Sequence, residues 1–366
     1  MAKVVLFGAT GYTGQLVAAE MVKRGMRPLL AARNQQALDE LAKTLGGDLS
    51  TQVADVNDPA SVAALVDKGD VLVSTVGPFI RWGRTAADAA IAKGAHYIDS
   101  TGEGAFIRSI FDDYGPRAKS AGITMMTALG YDWVPGNLAG ALATVADDRV
   151  CALKIGYFNA GPGSRDGMSG GTAASSATAM FYPAYAYRGG AIVTERMAAT
   201  KHEFGEVEVG RVGRAFSVGS TEAFSLPRVY EQLRDVEVLL GWNDPDKVQA
   251  QAAALEPLLA NPARQAELVA QAEKKTPGST GGPDQAARSL SSSVILAEGF
   301  DKAGNRLCEV RCSGVNGYDF TAAFIALTAQ KIADGEVTVR GSIGPLEAFG
   351  LERLREYVAQ SGLTAE

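Results

Sequence analysis

"VVLFGATGYTGQLVAAE", residues 4–20, sets an apolar β-branched run against a stretch with helical spacing and places Gly8, Gly11 and Gly14 three apart between them. Glycine at such a turn does one of two jobs. It supplies backbone angles or close packing that a Cβ forbids, or it lets main-chain N–H groups approach a pyrophosphate at the positive end of a helix. A strand before the triplet and a helix after it favour the second. Residues Gly8, Thr10, Gly11, Tyr12, Thr13 and Gly14 are therefore expected to grip a dinucleotide.

Outward from this turn the alternation continues. The apolar runs "PLLAAR" (28–33), "TQVADV" (51–56), "DVLVSTVG" (70–77), "HYIDST" (96–101) and "GITMMTALG" (122–130) are strand-like, with helical patterns between them near 15–24, 36–45, 60–66 and 84–93. Continuous apolar strands separated by amphipathic helices make a parallel sheet covered on both faces. The fold class expected is α/β, a Rossmann-type doubly wound parallel sheet over residues 1–148. Past Val150 the texture changes to isolated strands such as "ALKIGYF" (152–158) and "AIVTERMAA" (191–199), a long alanine-rich helical stretch over 246–274, and an apolar helix within 319–337. A second α+β domain with a mixed sheet is expected over 149–333, for substrate and dimer contacts. The amphipathic segment of 334–366 is expected to return to the first domain.

Composition narrows the partners. With 366 residues, 46% of them hydrophobic, the chain is long enough for two conventional cores. A net charge of -6 gives no general attraction to nucleic acid or anionic lipid. Cys151, Cys308 and Cys312 have neither metal-site nor disulfide-framework spacing, and no His/Cys/Glu pattern surrounds His96 or His202, so no metal is expected. No basic leader or bilayer-length apolar run is present. The expectation is a cytoplasmic protein acting on a small molecule, and a homodimer.

The end of the second strand bears on which nucleotide. An acidic residue there accepts from a ribose 2′-OH, whereas arginine meets a 2′-phosphate. Here the strand ends in Arg33 and Asn34, and the nearest acid, Asp39, lies in the next helix. NADP is expected. Other strand ends place Asp55 and Val56 near the adenine and Val76, Gly77 and Pro78 near the ribose and nicotinamide.

Together "GATGYTG", "AARN", "STVGPF", "YIDSTGE" and "GYDWVPGNL", followed by "SGGTAAS", "GP" before Arg288, "GYDFTA" and "AFG", make a chain that resembles the saccharopine dehydrogenase-like NADP-binding oxidoreductases, which include the trans-acting enoyl reductases. The resemblance implies a Rossmann domain, an inserted α+β domain and nicotinamide-dependent reduction, with no single substrate. It is weakest over 185–275, and Ser-Ile-Gly at 342–344 stands where relatives often carry Thr-Pro-Ala. Short-chain dehydrogenases are disfavoured, because none of the 11 tyrosines has lysine four residues later; Tyr114 comes nearest, with Lys119 at i+5.

Reduction of a C=O, C=N or polarised C=C bond leaves a charge to be protonated or held. Tyr131, Asp132 and Asp99 are the catalytic candidates, following strand ends at the mouth of the nucleotide site. Thr101, Glu103, Ser169, Gly170, Gly171, Thr172 and Phe181 are the candidates for substrate contact; Ser169 with its glycines would form a nest of amides. Each has a plainer alternative: Asp99 and Glu103 as helix-start acceptors, Asp132 as a turn brace, Ser169 as an N-cap and Phe181 as core. Arg81, Arg84 and Arg165 leave carboxylated substrates open, while the aromatic cluster of 181–187 leans toward apolar ones. A dinucleotide-binding scaffold without turnover is the rival to a reductase.

Overall fold

The computed structural model describes residues 2–163, 168–275 and 281–366; Arg165, named above, lies outside them. The first half runs β1 (Val4–Phe7), α1 (Tyr12–Lys23), β2 (Leu29–Ala32), α2 (Gln35–Thr44), β3 (Thr51–Val53), α3 (Pro59–Ala63), β4 (Val71–Ser74), α4 (Phe79–Lys93), β5 (His96–Asp99), α5 (Gly104–Ser109), a π-helical turn at Ile110–Tyr114, α6 (Gly115–Ala121), β6 (Thr124–Met126) and α7 (Val134–Ala146). Its strands lie in the order β3-β2-β1-β4-β5-β6, all parallel, with the order reversing between β1 and β4. This is the doubly wound arrangement, in which ligands sit beyond the strand carboxyl ends at the reversal. Val71, Leu72 and Val73 are wholly buried, as expected of a strand with helices on both faces. Local chemistry sets several helix starts: Asn34 caps α2 by accepting from the Ala37 N–H, and Asp58 caps α3 just before Pro59.

The second half runs β7 (Ala152–Ala160), α8 (Gly170–Ala179), β8 (Ala184–Arg188), β9 (Ala191–Glu195), β10 (Lys201–Glu208), β11 (Arg211–Val218), α9 (Glu222–Val229), β12 (Asp235–Gly241), α10 (Pro245–Leu259), α11 (Pro262–Lys275), α12 (Gln285–Ser289), β13 (Ser292–Phe300), β14 (Arg306–Val315) and α13 (Gly317–Ala333). A mixed sheet results. β12 runs parallel to β7, and the other pairings are antiparallel. The single helix expected over 246–274 is two helices. Pro262 has no N–H with which to continue α10, and the Asn261 side chain accepts from the Ala263 N–H to start α11.

Two helices join the halves. Residues 133–141 of α7 and its entry are all buried, because the helix lies between layers and has no wet face. Helix α13 packs along α1 and against β1, β4 and β5. One continuous core therefore includes Leu6, Val73, Leu138, Ile155, Ile295 and Phe324. The last stretch serves both sheets: β15 (Gly341–Ser342) adds in parallel beside β6, α14 (Pro345–Gln360) lies on α7 and α9, and β16 (Leu363–Ala365) pairs antiparallel with β14. β15 and α14 thus touch elements of the first half, and β16 joins the second sheet. Among the described residues, no helix is long and apolar enough to cross a membrane.

Candidate active site

The glycine turn leaves β1 with Gly8 at φ +91°, while the Gly8 and Ala9 N–H groups donate to the Ala31 carbonyl at 2.8 and 3.1 Å. A Cβ on Gly8 would stand 2.6 Å from Thr75 Oγ1 and 2.9 Å from Val76, and one on Gly14 only 2.2 Å from the Gly8 carbonyl oxygen. Gly11 differs, since its nearest neighbour would be that same oxygen at 3.3 Å. The outer glycines are thus required by packing, and the middle one keeps the approach to α1 open. Gly11 is also the N-cap of α1 and lends no side chain to the first-turn N–H groups. Those donors and the helix dipole suit an anion. Thr10 turns its carbonyl to Gln15, Thr13 sits in the first turn, and Val76 packs on Gly8.

At the end of β2, Arg33 is exposed and has no hydrogen-bond or ion-pair partner among the described residues. Asn34 is occupied at its oxygen by the α2 cap, and Asp39 is held by Gln35 at 2.7 Å. Asp55 braces its own turn by accepting from the Asn57 N–H at 2.8 Å, and the Val56 carbonyl accepts from Thr85. Arg81 pairs with Glu273 at 2.7 Å, and Arg84 lies 3.9 Å from Asp113.

Tyr12 points across to the second half. Its ring meets Tyr318 edge-on at 5.1 Å, its hydroxyl donates to the Pro283 carbonyl, and Arg288 Nη1 donates to it at 3.2 Å. Arg288 in turn pairs with Asp319 at 2.7 Å. The Ser169 N–H donates to the Tyr318 hydroxyl at 2.8 Å, the Gly170 N–H to the Gly281 carbonyl, and the Thr172 N–H to the Ser169 hydroxyl. The expected open nest of amides at Ser169, Gly170, Gly171 and Thr172 is therefore largely filled by the protein itself, and this region closes the second half over the glycine turn.

The remaining polar candidates divide sharply. Asp99 is fully buried and accepts from the Thr101 N–H, the Ala128 N–H and the Thr127 hydroxyl; burial pushes its carboxyl up to about 6 against those bonds. Thr101 accepts from the Glu103 N–H. Glu103 receives the Phe79 N–H at 2.7 Å, the Ile80 N–H at 2.9 Å and the Ser175 hydroxyl at 2.6 Å, so it caps α4 just after Gly77 and Pro78 and ties α8 to it. The Tyr131 hydroxyl donates to the Phe158 carbonyl at 2.9 Å, and burial raises its pKa far beyond the ordinary phenol value. Asp132 stands apart. Its carboxyl has no hydrogen-bond partner among the described residues, lies against Gly102, and is pushed up to about 6 by burial. Phe181 lies past the far end of α8, where Gln265 donates to its carbonyl. Ser175, Tyr318 and Asp319 were not singled out from sequence; "GYDFTA" carried the last two without a role.

Residues 4–126 match the family model of the saccharopine dehydrogenase NADP binding domain. Trans-acting enoyl reductases from Mycobacterium ulcerans and Mycobacterium tuberculosis are each 34% identical, over 141 and 140 residues; both alignments cover 37% of this chain and 34% of the relative. The chain thus matches about a third of the length of these curated relatives. A saccharopine dehydrogenase (L-Glu forming) from Saccharomyces cerevisiae superposes over 100% of this chain and 99% of its own with a TM-score of 0.60 and 14% identity. A homospermidine synthase from Legionella pneumophila, solved with NAD, does so over 100% and 91%, with a TM-score of 0.60 and 10% identity. The structural likenesses extend the shared fold across both sheets. The family match spans the strands β1 to β6 of the first sheet.

Proposed function

We propose that the protein is an NADPH-dependent oxidoreductase that reduces a polarised C=C, C=O or C=N bond of a small apolar or amphipathic substrate, with Asp132 as its acid. The observation that carries this is a raised-pKa carboxyl without a partner among the described residues, in the loop between β6 and α7, beyond the carboxyl ends of the same parallel sheet whose first turn is a glycine cradle fitted to a pyrophosphate. The name of the curated relatives favours C=C within this class.

The residues present fit the cofactor. Gly8, Gly11 and Gly14 with the α1 N-terminus would hold its pyrophosphate, Arg33 the 2′-phosphate, and Val76, Gly77 and Pro78 the nicotinamide half. When bound, the reduced dinucleotide supplies a hydride. Asp132 gives its proton to the substrate atom on which negative charge collects, and regains one from water. A carboxyl near 6 is matched to this task near neutrality. Asp99 and Thr101 hold the β5 and β6 loops around it, and Glu103, next to the Gly102 that Asp132 touches, caps α4.

The test is NADPH consumption with a panel of enones, imines and ketones, repeated with Asp132→Asn. A hundredfold or greater fall in kcat with unchanged NADPH binding supports the assignment. Failure to bind NADPH sinks the enzyme and leaves only a fold.

A further inference from the structure

Beyond the C-terminal end of α8, a cavity of about 320 Å³ opens between α8, β9, α10 and α11. Its apolar wall is built by Met180, Phe181, Tyr182, Met197, Ala252 and Leu259. Two of these are methionines, whose unbranched chains adapt to ligands of varied outline. The volume falls in the range of small-molecule sites. At roughly 30 Å³ apiece, the share of liquid volume taken by a water, it accommodates about ten such units.

The charged groups lining this cavity are Glu195, Arg196 and Glu256. Glu195 is paired with Arg188 at 3.2 Å, an arginine that also pairs with Glu237 at 2.8 Å, and Arg196 Nε stands 4.0 Å from Glu256 Oε2. At that distance Glu256 is beyond hydrogen-bond reach, and the buried Arg196 Nε–H has no acceptor among the described residues. An unmet buried donor costs free energy that an acceptor on a ligand would recover. Because Glu195 and Glu256 already face the cavity, a neutral acceptor suits it better than a further carboxylate.

Position links the cavity to the candidate active site. Ser175, on α8, donates to Glu103, and Met180 follows five residues on, about 8 Å along the helix at 1.5 Å per residue. Tyr182, in the cavity lining, has its phenol pKa raised by burial and by the carboxylates of Glu273 and Glu103, with Arg81 opposing.

We propose that this cavity seats the far end of the substrate, a neutral medium-length aliphatic chain bearing one carbonyl or ether-type oxygen, with that oxygen accepting from Arg196 Nε–H and the hydrocarbon lying on Met180, Phe181, Met197 and Leu259. As the seat of substrate it rests on the reductase assignment, whereas binding in the cavity is measured independently of turnover.

The experiment is calorimetric titration of the full chain with octan-2-one, with octanoate as the charged counterpart, on the unaltered protein and on Arg196→Met and Met197→Trp. The first variant removes the donor; the second fills the cavity. Thermal unfolding and NADPH titration serve as controls for folding. The expected result is one-to-one ketone binding, octanoate at least tenfold weaker, a loss of tenfold or more in Arg196→Met and no binding in Met197→Trp, with NADPH binding unchanged in both. Absence of ketone binding to a chain that binds NADPH overturns the proposal, as does undiminished binding to Met197→Trp or tighter binding of octanoate than of the ketone. Ketone binding by a chain that fails to take NADPH would sink the reductase while leaving the cavity assignment standing.

Discussion

The Tyr157 hydroxyl donates to Glu222 Oε1 at 2.6 Å in a place where Glu222 has no exposed surface. Among the described residues, no cation pairs with the carboxyl. Burial pushes it up to about 8, opposed by the bonds from Tyr157 and neighbouring hydroxyls. The folded protein therefore keeps a proton that the unfolded chain gives up near 4.5. The stabilisation from this group is full below that value and is lost as pH rises through 8. Asp99 and Asp132, both pushed to about 6, act in the same direction but finish lower. Glu222→Gln should flatten the fall in stability between pH 6 and 8, removing a slope of up to about 1.4 kcal/mol per pH unit. Urea unfolding across that window checks it; an unchanged slope would contradict a neutral Glu222.

Arg33 has no partner within the described protein, so its removal costs little stability. Arg33→Ala should weaken NADPH binding by about 10- to 100-fold, the worth of a charge-assisted contact of roughly 1.5–3 kcal/mol. NADH binding should move little. Fluorescence titration with both dinucleotides distinguishes the cases, and equal losses would remove Arg33 from the 2′-phosphate.

Gly11 and Gly14 should respond differently to the same methyl group. A Cβ at Gly14 collides with the Gly8 carbonyl at 2.2 Å, so Gly14→Ala should lower the melting temperature. Gly11→Ala meets its nearest atom at 3.3 Å and should fold with a near-normal melting temperature, yet lose dinucleotide affinity by tenfold or more because the methyl enters the approach to α1. Thermal melts paired with NADPH titration read both effects.

Glu103 holds two α4 amides and the Ser175 hydroxyl at once. Glu103→Ala leaves these donors without an acceptor and should cost about 2–3 kcal/mol in urea unfolding. Glu103→Gln retains an acceptor oxygen and should cost less. Equal effects would indicate that the carboxylate is not what anchors α4.

The first sheet was legible because its signals are local. Strand-sized runs of Val, Leu and Ile bounded by capping residues such as Asn34 and Asp58 carry their own punctuation, and the glycine turn sits where the pattern predicts. The second sheet was legible only as a change of texture, since its neighbours are set by pairings such as β7 with β13, far apart in sequence. The break at Asn261 and Pro262 was present in the sequence and outweighed by the alanine-rich run around it. At the site, residue type marked which side chains were polar but not which were already committed. Glu103, Asp99 and Ser169 satisfy backbone groups whose positions depend on distant strands, and only the assembled loops leave Asp132 without a partner among the described residues.

Arg340 donates to the Thr124 hydroxyl across 216 positions at 2.9 Å, beside the short strand that finishes the first sheet, and residues 363–365 finish the second. A nascent chain emerges in order, so the flanks of β6 and β14 stay bare on the ribosome until those late residues arrive. Bare strand flanks invite pairing with other chains. Ribosome-stalled fragments ending between residues 126 and 340 are accordingly the stage of this protein's life at which chaperone capture should be greatest.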